Sequence, residues 1–363
     1  MGSKTVIMNP KPDATADPVR SAKQLGIQSD SAFSEASKRL CGRDLCSIAD
    51  LSVDEMAAIM ELSHAVKSNP EDFRHSLDGR QMVLFFEKAS LRTRLTFEAA
   101  INTLGGNAIF VDQTQSPLGE RESLPDMAHN IERWMSVIVL RTYSHETITE
   151  MAGCSRIPVI NALSDFEHPC QAIADFFTLE ERFGSAEGLH FTYVGDGNNV
   201  CHSLMLTAAQ LGVHCTVASP KGFAPKLEII HKAIEISEQT GGSITLMQDP
   251  VKAVKEADAV YTDVCTSMGF EHEATRRAPI FKPYQVNEAL MARAQQDAVF
   301  MHCLPAHRNA EVTDAVLDGP QSIVFDQAEN RMHAQKALLL MLLGGAKRIS
   351  NARDRGLQAR KRG

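Results

Sequence analysis

Five consecutive positions, Ser90-Leu91-Arg92-Thr93-Arg94, set two hydroxyls and two guanidiniums directly after an apolar run. Such a set grips an anion, a phosphate above all, because guanidinium forks match phosphate oxygens in pairs and hydroxyls donate to those left over. A second set follows in Arg141 and in His168-Pro169-Cys170-Gln171. A third has different chemistry. Asn198 and Asn199 offer amides, Asp263 a carboxylate, and Ser267-Met268-Gly269 a small-residue turn that a ligand can approach closely. Together these suit an amino acid carrying both amine and carboxylate. His302-Cys303-Leu304-Pro305 and Arg331 complete the candidates. Taken singly, each has a plainer role: a capped helix with surface arginines, a satisfied buried histidine, ordinary turn residues, a small core cysteine. What distinguishes them is where the chain must put them.

The spacing of apolar residues indicates the elements that carry these groups. Residues 82–86 read as a buried strand, and from 91 to 104 the spacing becomes helical, with Ser90 at the cap and Gly105 at the stop. Free N–H groups at that helix start add to the attraction for an anion. Upstream, Ser52 with Glu55 three residues later has capping-box spacing for a helix toward Lys67. Downstream come strands at 107–111, 136–140 and 158–162, a polar loop at 113–123, and helices at 126–134 and 169–181. Pro169 suits a first helical turn and puts His168 and Gln171 near that helix's open end. Strands alternating with helices mean a parallel sheet with covered faces, whose ligands sit beyond the carboxyl ends of the strands. Ser90, Arg92 and Thr93 follow one such end, Arg141 a second and His168 a third, so the three strands deliver their groups to one crevice.

The pattern repeats, with strands at 189–194, 214–218, 243–247, 259–263, 298–304 and 323–325 and helices ending at 211 and over 225–239 and 251–257. The fold class is therefore α/β, two doubly wound parallel-sheet domains, the first over 41–183 and the second over 184–330. Residues 331–363 hold the last long helix, expected to begin at Glu329, and a basic tail. Residues 1–40 mix Pro, Ser, Asp and Lys without an apolar core and read as a flexible leader. Gly195 and Gly197 start a dinucleotide fingerprint, but Val200 stands where its third glycine belongs and the next strand ends at Ser219-Pro220-Lys221 without an acidic residue. Nucleotide binding is disfavoured. His302 and Cys303 are expected to face opposite ways on a strand, which argues against a shared metal.

Composition limits what such sites serve. A chain of 363 residues, 44% hydrophobic and 23% charged, is ordinary for a soluble enzyme of two domains. Its apolar run at 337–343 is far too short to span a bilayer. A formal charge of -8 argues against general nucleic-acid affinity, while leaving room for a local positive pocket and a small anionic metabolite. Eight cysteines scattered without CxxC spacing fit reduced thiols in the cytoplasm, not disulfides or a zinc site.

Taken together, Ser90-Leu91-Arg92-Thr93-Arg94, His168-Pro169-Cys170-Gln171, Asp263-Val264-Cys265-Thr266-Ser267-Met268-Gly269 and His302-Cys303-Leu304-Pro305 resemble the four signature motifs of the ornithine carbamoyltransferases, in order and at family spacing over roughly residues 41–343. The resemblance implies one domain for carbamoyl phosphate and one for L-ornithine, joined by helices, the last of which returns to the first domain. It also implies a homotrimer or a multiple of trimers, with active sites at subunit boundaries. By motif, Ser90, Leu91, Arg92, Thr93 and Arg141 would hold the phosphate, His168 and Gln171 the carbamoyl group, and Arg331 with the backbone at Cys303 and Leu304 would complete that pocket. Asn199, Asp263, Ser267 and Met268 would orient ornithine. The implied chemistry is attack of the neutral δ-amine on the carbamoyl carbon, giving citrulline and phosphate for arginine biosynthesis, with Arg92, Arg141, His168, Asp263 and Cys303 catalytic. Neither a metal nor an organic cofactor is required.

Three departures from the family pattern bear on the acceptor. Leu91 stands where ornithine enzymes usually carry Thr, and acylornithine carbamoyltransferases resemble this sequence there; Pro117 stands where His or Gln is usual; and Cys265 and Phe270 replace Trp and Gln. The alternatives are a carbamoyltransferase for an acylornithine, lysine or a shorter diamino acid, and a dinucleotide-dependent oxidoreductase. A paralogue that binds without turnover is a further one, and retention of Arg92, His168, Asp263 and Cys303 counts against it.

Overall fold

The structure, a computed structural model, describes residues 30–265 and 273–345. The first half runs α1 (Asp30–Leu40), α2 (Val53–Ser68), β1 (Gln81–Phe86), α3 (Leu91–Thr103), β2 (Asn107–Asp112), α4 (Leu124–Ile131), β3 (Val137–Arg141), α5 (His145–Cys154), β4 (Val159–Leu163) and α6 (Pro169–Phe183). The second runs β5 (His190–Val194), α7 (Asn199–Gln210), β6 (His214–Ala218), α8 (Leu227–Thr240), β7 (Ser243–Met247), α9 (Pro250–Ala253), β8 (Ala259–Tyr261), α10 (Ala274–Phe281), α11 (Glu288–Met291), β9 (Val299–Met301), α12 (Asp314–Leu317) and α13 (Val324–Leu342).

Two wholly parallel sheets result, in strand orders β2-β1-β3-β4 and β7-β6-β5-β8-β9. The inner strands β1 and β3 of the first sheet are near-continuous apolar runs, as burial on both faces requires: in β1 every residue after Gln81 is buried, and in β3 every residue is. Each order reverses once, between β1 and β3 in the first sheet and between β5 and β8 in the second, and a crevice opens at such a reversal. The first sheet's reversal lies between the strands ending in Phe86 and Arg141, which are directly in register. The second lies between the turn after Val194 and that after Tyr261. Helix α13 packs on α6, α2, α3 and α1, so the chain returns to its first half at the end.

Local chemistry accounts for the boundaries. Ser52 accepts from Glu55 N at 3.3 Å and Glu55 Oε2 accepts from Ser52 N at 3.0 Å, the capping box expected for α2. Ser90 caps α3 by accepting from Thr93 N at 3.3 Å. Gly197 serves packing: a Cβ there would lie 2.2 Å from Pro225 N, so the turn after β5 is closed against residues 224–225.

Several expectations change. Residues 323–325 are not a strand; only Ser322 bridges to Phe300, and α13 already begins at Val324. The apolar triplet Ile323-Val324-Phe325 is too short to reveal its period, and Glu329 lies exposed within the helix, past its first turn, not at its start. The strands at 259–263 and 298–304 stop at Tyr261 and Met301, freeing the residues after them from strand alternation. The helix at 251–257 spans only Pro250–Ala253, and α5 was not anticipated. The leader does not extend to residue 40: Asp30–Leu40 is helical, and Phe33, Ala36 and Leu40 are buried. Residues 1–29 and the basic tail from 346 lie outside the described residues.

Candidate active site

The first crevice gathers positive charge. Arg141 ends β3, Arg92 and Thr93 open α3, and Arg331 reaches in from α13. Arg331 Nη2 donates to Thr93 Oγ1 at 2.7 Å, and its Nη1 donates to Gln171 Oε1. Burial lowers the Arg141 guanidinium to about 9, and Arg331 and Arg92 push the same way. Arg92 and Arg331 are lowered too, burial again leading. Among the described residues, no carboxylate lies within ion-pair distance of these three guanidiniums. The buried Nε atoms of Arg141 and Arg331 and His168 Nδ1 have no hydrogen-bond partner. Three guanidiniums left unpaired in a desolvated crevice call for an anion, and the N–H groups of α3's first turn, which have no intrahelical acceptor, face the same need.

His168 stands at the start of α6, where its backbone N–H donates to Ser203 Oγ at 2.9 Å. Burial first, then Arg331 and Arg141, hold its imidazole far below the ordinary range, so it is neutral at neutral pH. A neutral imidazole polarises a carbonyl without adding charge beside the arginines. Gln171 is fixed in orientation: its Nε2 donates to Asp175 Oδ1 at 2.7 Å, which leaves Oε1 toward Arg331. Asp175 also accepts from Gln327 Nε2 at 2.8 Å and Tyr261 OH at 3.0 Å, joining α6, α13 and β8 beneath the crevice. Burial raises this carboxyl to about 6.

The second crevice holds Asp263. Its Oδ2 accepts from Asn198 Nδ2 at 2.8 Å and its Oδ1 from Cys303 Sγ at 3.1 Å. Asn198 Oδ1 meanwhile caps α7, accepting from Val200 N at 3.0 Å and Cys201 N at 3.1 Å. Burial, then Asp263, lift the Cys303 thiol well above its ordinary range, so it stays protonated as a donor. Cys303 lies near enough to Arg92, Arg141 and Arg331 that a charge on its sulfur would act on all three, so the two crevices are parts of one site.

The expected residues thus fall into groups. Ser90, Arg92, Thr93, Arg141, His168, Gln171, Arg331, Asp263 and Cys303 assemble. Leu91 differs: its side chain is 70% exposed, and with exposed Leu95 it lines an open depression of about 440 Å³ that also includes Phe110 and Thr114. Asn199 donates to Ser164 O at 2.6 Å, across the seam between the two halves. Leu304 adopts φ 57° and its N–H donates to His302 Nδ1 at 2.9 Å. Ser267, Met268 and Phe270 lie outside the described residues.

His302 and Cys303 do not diverge as expected, because the strand has already ended; ligand atoms of Asp263, His302 and Cys303 lie within 4.8 Å of one another. Both His302 nitrogens are engaged, however, Nε2 facing Glu311 Oε1 at 3.3 Å. Asn198 was expected only as one of two amides at the α7 start, and Asp175, Ser203, Gln327 and Arg277 were missed as contributors. Arg277 is buried, pairs with Asp196 and donates from Nε to Cys265 O at 2.7 Å. Only Asp175 left a signal in the sequence, one helical turn after Gln171 on the same face.

Residues 43–181 match the aspartate/ornithine carbamoyltransferase carbamoyl-P binding domain and residues 187–342 the Asp/Orn binding domain of the same family. The ornithine carbamoyltransferase of Pyrococcus horikoshii is 46% identical over 313 residues, 85% of this chain and 98% of that relative. The catabolic ornithine carbamoyltransferase of Thermoplasma acidophilum is 46% identical over 301 residues, 83% of this chain and 98% of its own. The structure of ornithine carbamoyltransferase from Pyrococcus furiosus superposes with a TM-score of 0.82 at 45% identity, covering 84% of this chain and 98% of that one.

Proposed function

The chain belongs to the aspartate/ornithine carbamoyltransferase family, and on that premise we propose that it transfers the carbamoyl group of carbamoyl phosphate to the δ-amine of L-ornithine, giving L-citrulline and phosphate. The observation that carries the reading is the set of unpaired guanidiniums of Arg92, Arg141 and Arg331 beside neutral His168, with Asp263 and the Cys303 thiol across from them.

In this reading Ser90, Arg92, Thr93, Arg141 and Arg331 hold the phosphate, and His168 and Gln171 hold the carbamoyl oxygen and amide. Leu91 contributes its backbone N–H, since its side chain is exposed. The δ-amine attacks as a free base: its lone pair forms the new C–N bond, a tetrahedral intermediate carries charge on the carbonyl oxygen, and the C–O bond to phosphate then breaks. Arg92, Arg141 and Arg331 stabilise the leaving phosphate, and His168 the oxygen. Asp263 takes the amine's excess charge or proton, with Cys303 donating to its other oxygen. Asn199, Ser267 and Met268 complete the amino-acid side. Cys303 as a thiolate base is disfavoured by its raised thiol. Gly197, closed against residues 224–225, weighs against a dinucleotide there.

A homotrimer fits the exposed Leu91 and Leu95 near the phosphate end, an apolar surface suited to a neighbouring copy. Cytoplasmic residence and a biosynthetic role are consistent with eight free cysteines and with anabolic relatives, although catabolic relatives occur. No helix among the described residues is long and apolar enough to cross a membrane. The test is an acceptor panel with carbamoyl phosphate: L-ornithine should give citrulline, whereas turnover only with N-acetylornithine, lysine or a shorter diamino acid would overturn the assignment.

A further inference from the structure

Glu167, immediately before His168, has no role in the chemistry above, yet it is completely buried at the seam between the two sheets. Three donors converge on it: the Ser47 hydroxyl and Ile48 N at 3.1 Å, from the short turn Ile48–Asp50 and its cap, and Ser203 Oγ at 2.9 Å from α7. Gln210 of α7 binds the same turn, donating to Ile48 O at 3.0 Å and Leu51 O at 2.7 Å. Ser203 has a second task, accepting the His168 N–H at 2.9 Å. A hydroxyl has one proton, and giving it to Glu167 leaves the oxygen lone pairs for His168. We propose that Glu167 is a positioning residue for His168: as a carboxylate it orients Ser203, which pins the start of α6 and aims the imidazole, and a proton on Glu167 slackens that hold.

The inference rests on the function read for this site. A protonated Glu167 must donate its own O–H to Ser47 or Ser203, so one of the present donors turns away, and a Ser203 hydroxyl that keeps its bond keeps it to an uncharged and weaker acceptor. Burial raises the Glu167 carboxyl to about 7; its hydrogen bonds from Ser47, Ile48 and Ser203 oppose this, and Asp50 adds to the rise. Cys46 faces it from the same segment, with its thiol pushed up to about 12. The α7 side presents the uncharged Ser203, and His168 itself is neutral. Glu167 therefore changes charge within the physiological range.

The test compares kcat/KM for carbamoyl phosphate from pH 6 to 9 in the full chain, in Glu167→Gln and in Ser203→Ala. Glutamine mimics the protonated acid in charge: its amide donates to Ser47, and its neutral oxygen accepts from Ile48 and Ser203 without the charge that strengthens the bond to a carboxylate. Ionisations of the substrates occur in both proteins and cancel in the ratio of wild type to Glu167→Gln. That ratio should be near one at pH 6 and climb to about tenfold at pH 9, the size of one hydrogen bond to a charged group. A ratio independent of pH overturns the proposal. Ser203→Ala should lose a similar factor at pH 9 and decides the matter if Glu167→Gln does not fold; wild-type kinetics in Ser203→Ala overturn it equally. If wild type itself makes no citrulline, the functional reading has failed, and the same ratios are then read from calorimetric binding of carbamoyl phosphate.

Discussion

Replacing Arg141 with methionine should make the unliganded protein more stable while abolishing its hold on carbamoyl phosphate. Arg141 is buried, its Nε is unpartnered, and its guanidinium is lowered from 12.5 to about 9. At 1.36 kcal/mol per unit, that shift corresponds to a cost of about 5 kcal/mol for keeping the charge where it is. Methionine preserves most of the apolar stem and removes the charge, but it forfeits part of the packing, so a net gain of about 1–3 kcal/mol is expected, as for buried charges replaced by apolar groups. The assay is thermal melting with and without inorganic phosphate or carbamoyl phosphate. Without ligand, Arg141→Met should melt several degrees higher, at about 2–4 °C per kcal/mol. With ligand at a hundredfold its Kd, wild type should gain about 2.7 kcal/mol and the variant nothing, so the order narrows or reverses. An unliganded variant that melts at or below wild type would refute the claim that this arginine is held uncompensated for an anion.

Asp175 predicts a pH dependence of stability. Its folded value is raised from 3.8 to about 6, so its contribution is fully present below about pH 4 and is lost as pH rises through 6. Wild type should lose about 3 kcal/mol relative to Asp175→Asn between pH 4 and 7, and a melting difference that does not change with pH would contradict this. Asp175→Ala, which strands the amides of Gln171 and Gln327 and the Tyr261 hydroxyl, should be less stable than Asp175→Asn by at least 1–3 kcal/mol in urea unfolding. Cys303 should resist iodoacetamide at pH 7–8, because its thiol is held well above the ordinary range; rapid alkylation that tracks loss of activity at pH 7 would show a thiolate instead.

The sequence made the first crevice more legible than the second. Ser90, Arg92, Thr93 and Arg141 sit at the ends of regular strands and a well-capped helix, where period, cap and stop all agree, so the elements and their polar groups follow from local rules. Around Asp263 and Cys303 the strands are three residues long, and the groups lie on the irregular chain beyond them. Strand alternation therefore misjudged His302 and Cys303. Asn198 and Asn199 show the limit of a motif: both are amides at one helix start, but the one that caps α7 is the one that holds Asp263, and its neighbour turns to Ser164. Arg331 could be placed by resemblance, whereas its partners Thr93 and Gln171 are 238 and 160 residues away and no local pattern joins them. Glu167 and Asp175 read as ordinary acidic residues until the packing of α6 against α7 and α13 buries them.

The central claim is that Arg92, Arg141 and Arg331 form one anion site that binds carbamoyl phosphate before any acceptor is present. Calorimetric titration of carbamoyl phosphate into the protein without ornithine tests it most directly. The expected result is one site per chain, competed by inorganic phosphate and weakened about a hundredfold or more in Arg331→Met, as the loss of charge-assisted hydrogen bonds requires. No binding in the absence of acceptor, or equal affinity in wild type and Arg331→Met, would contradict it.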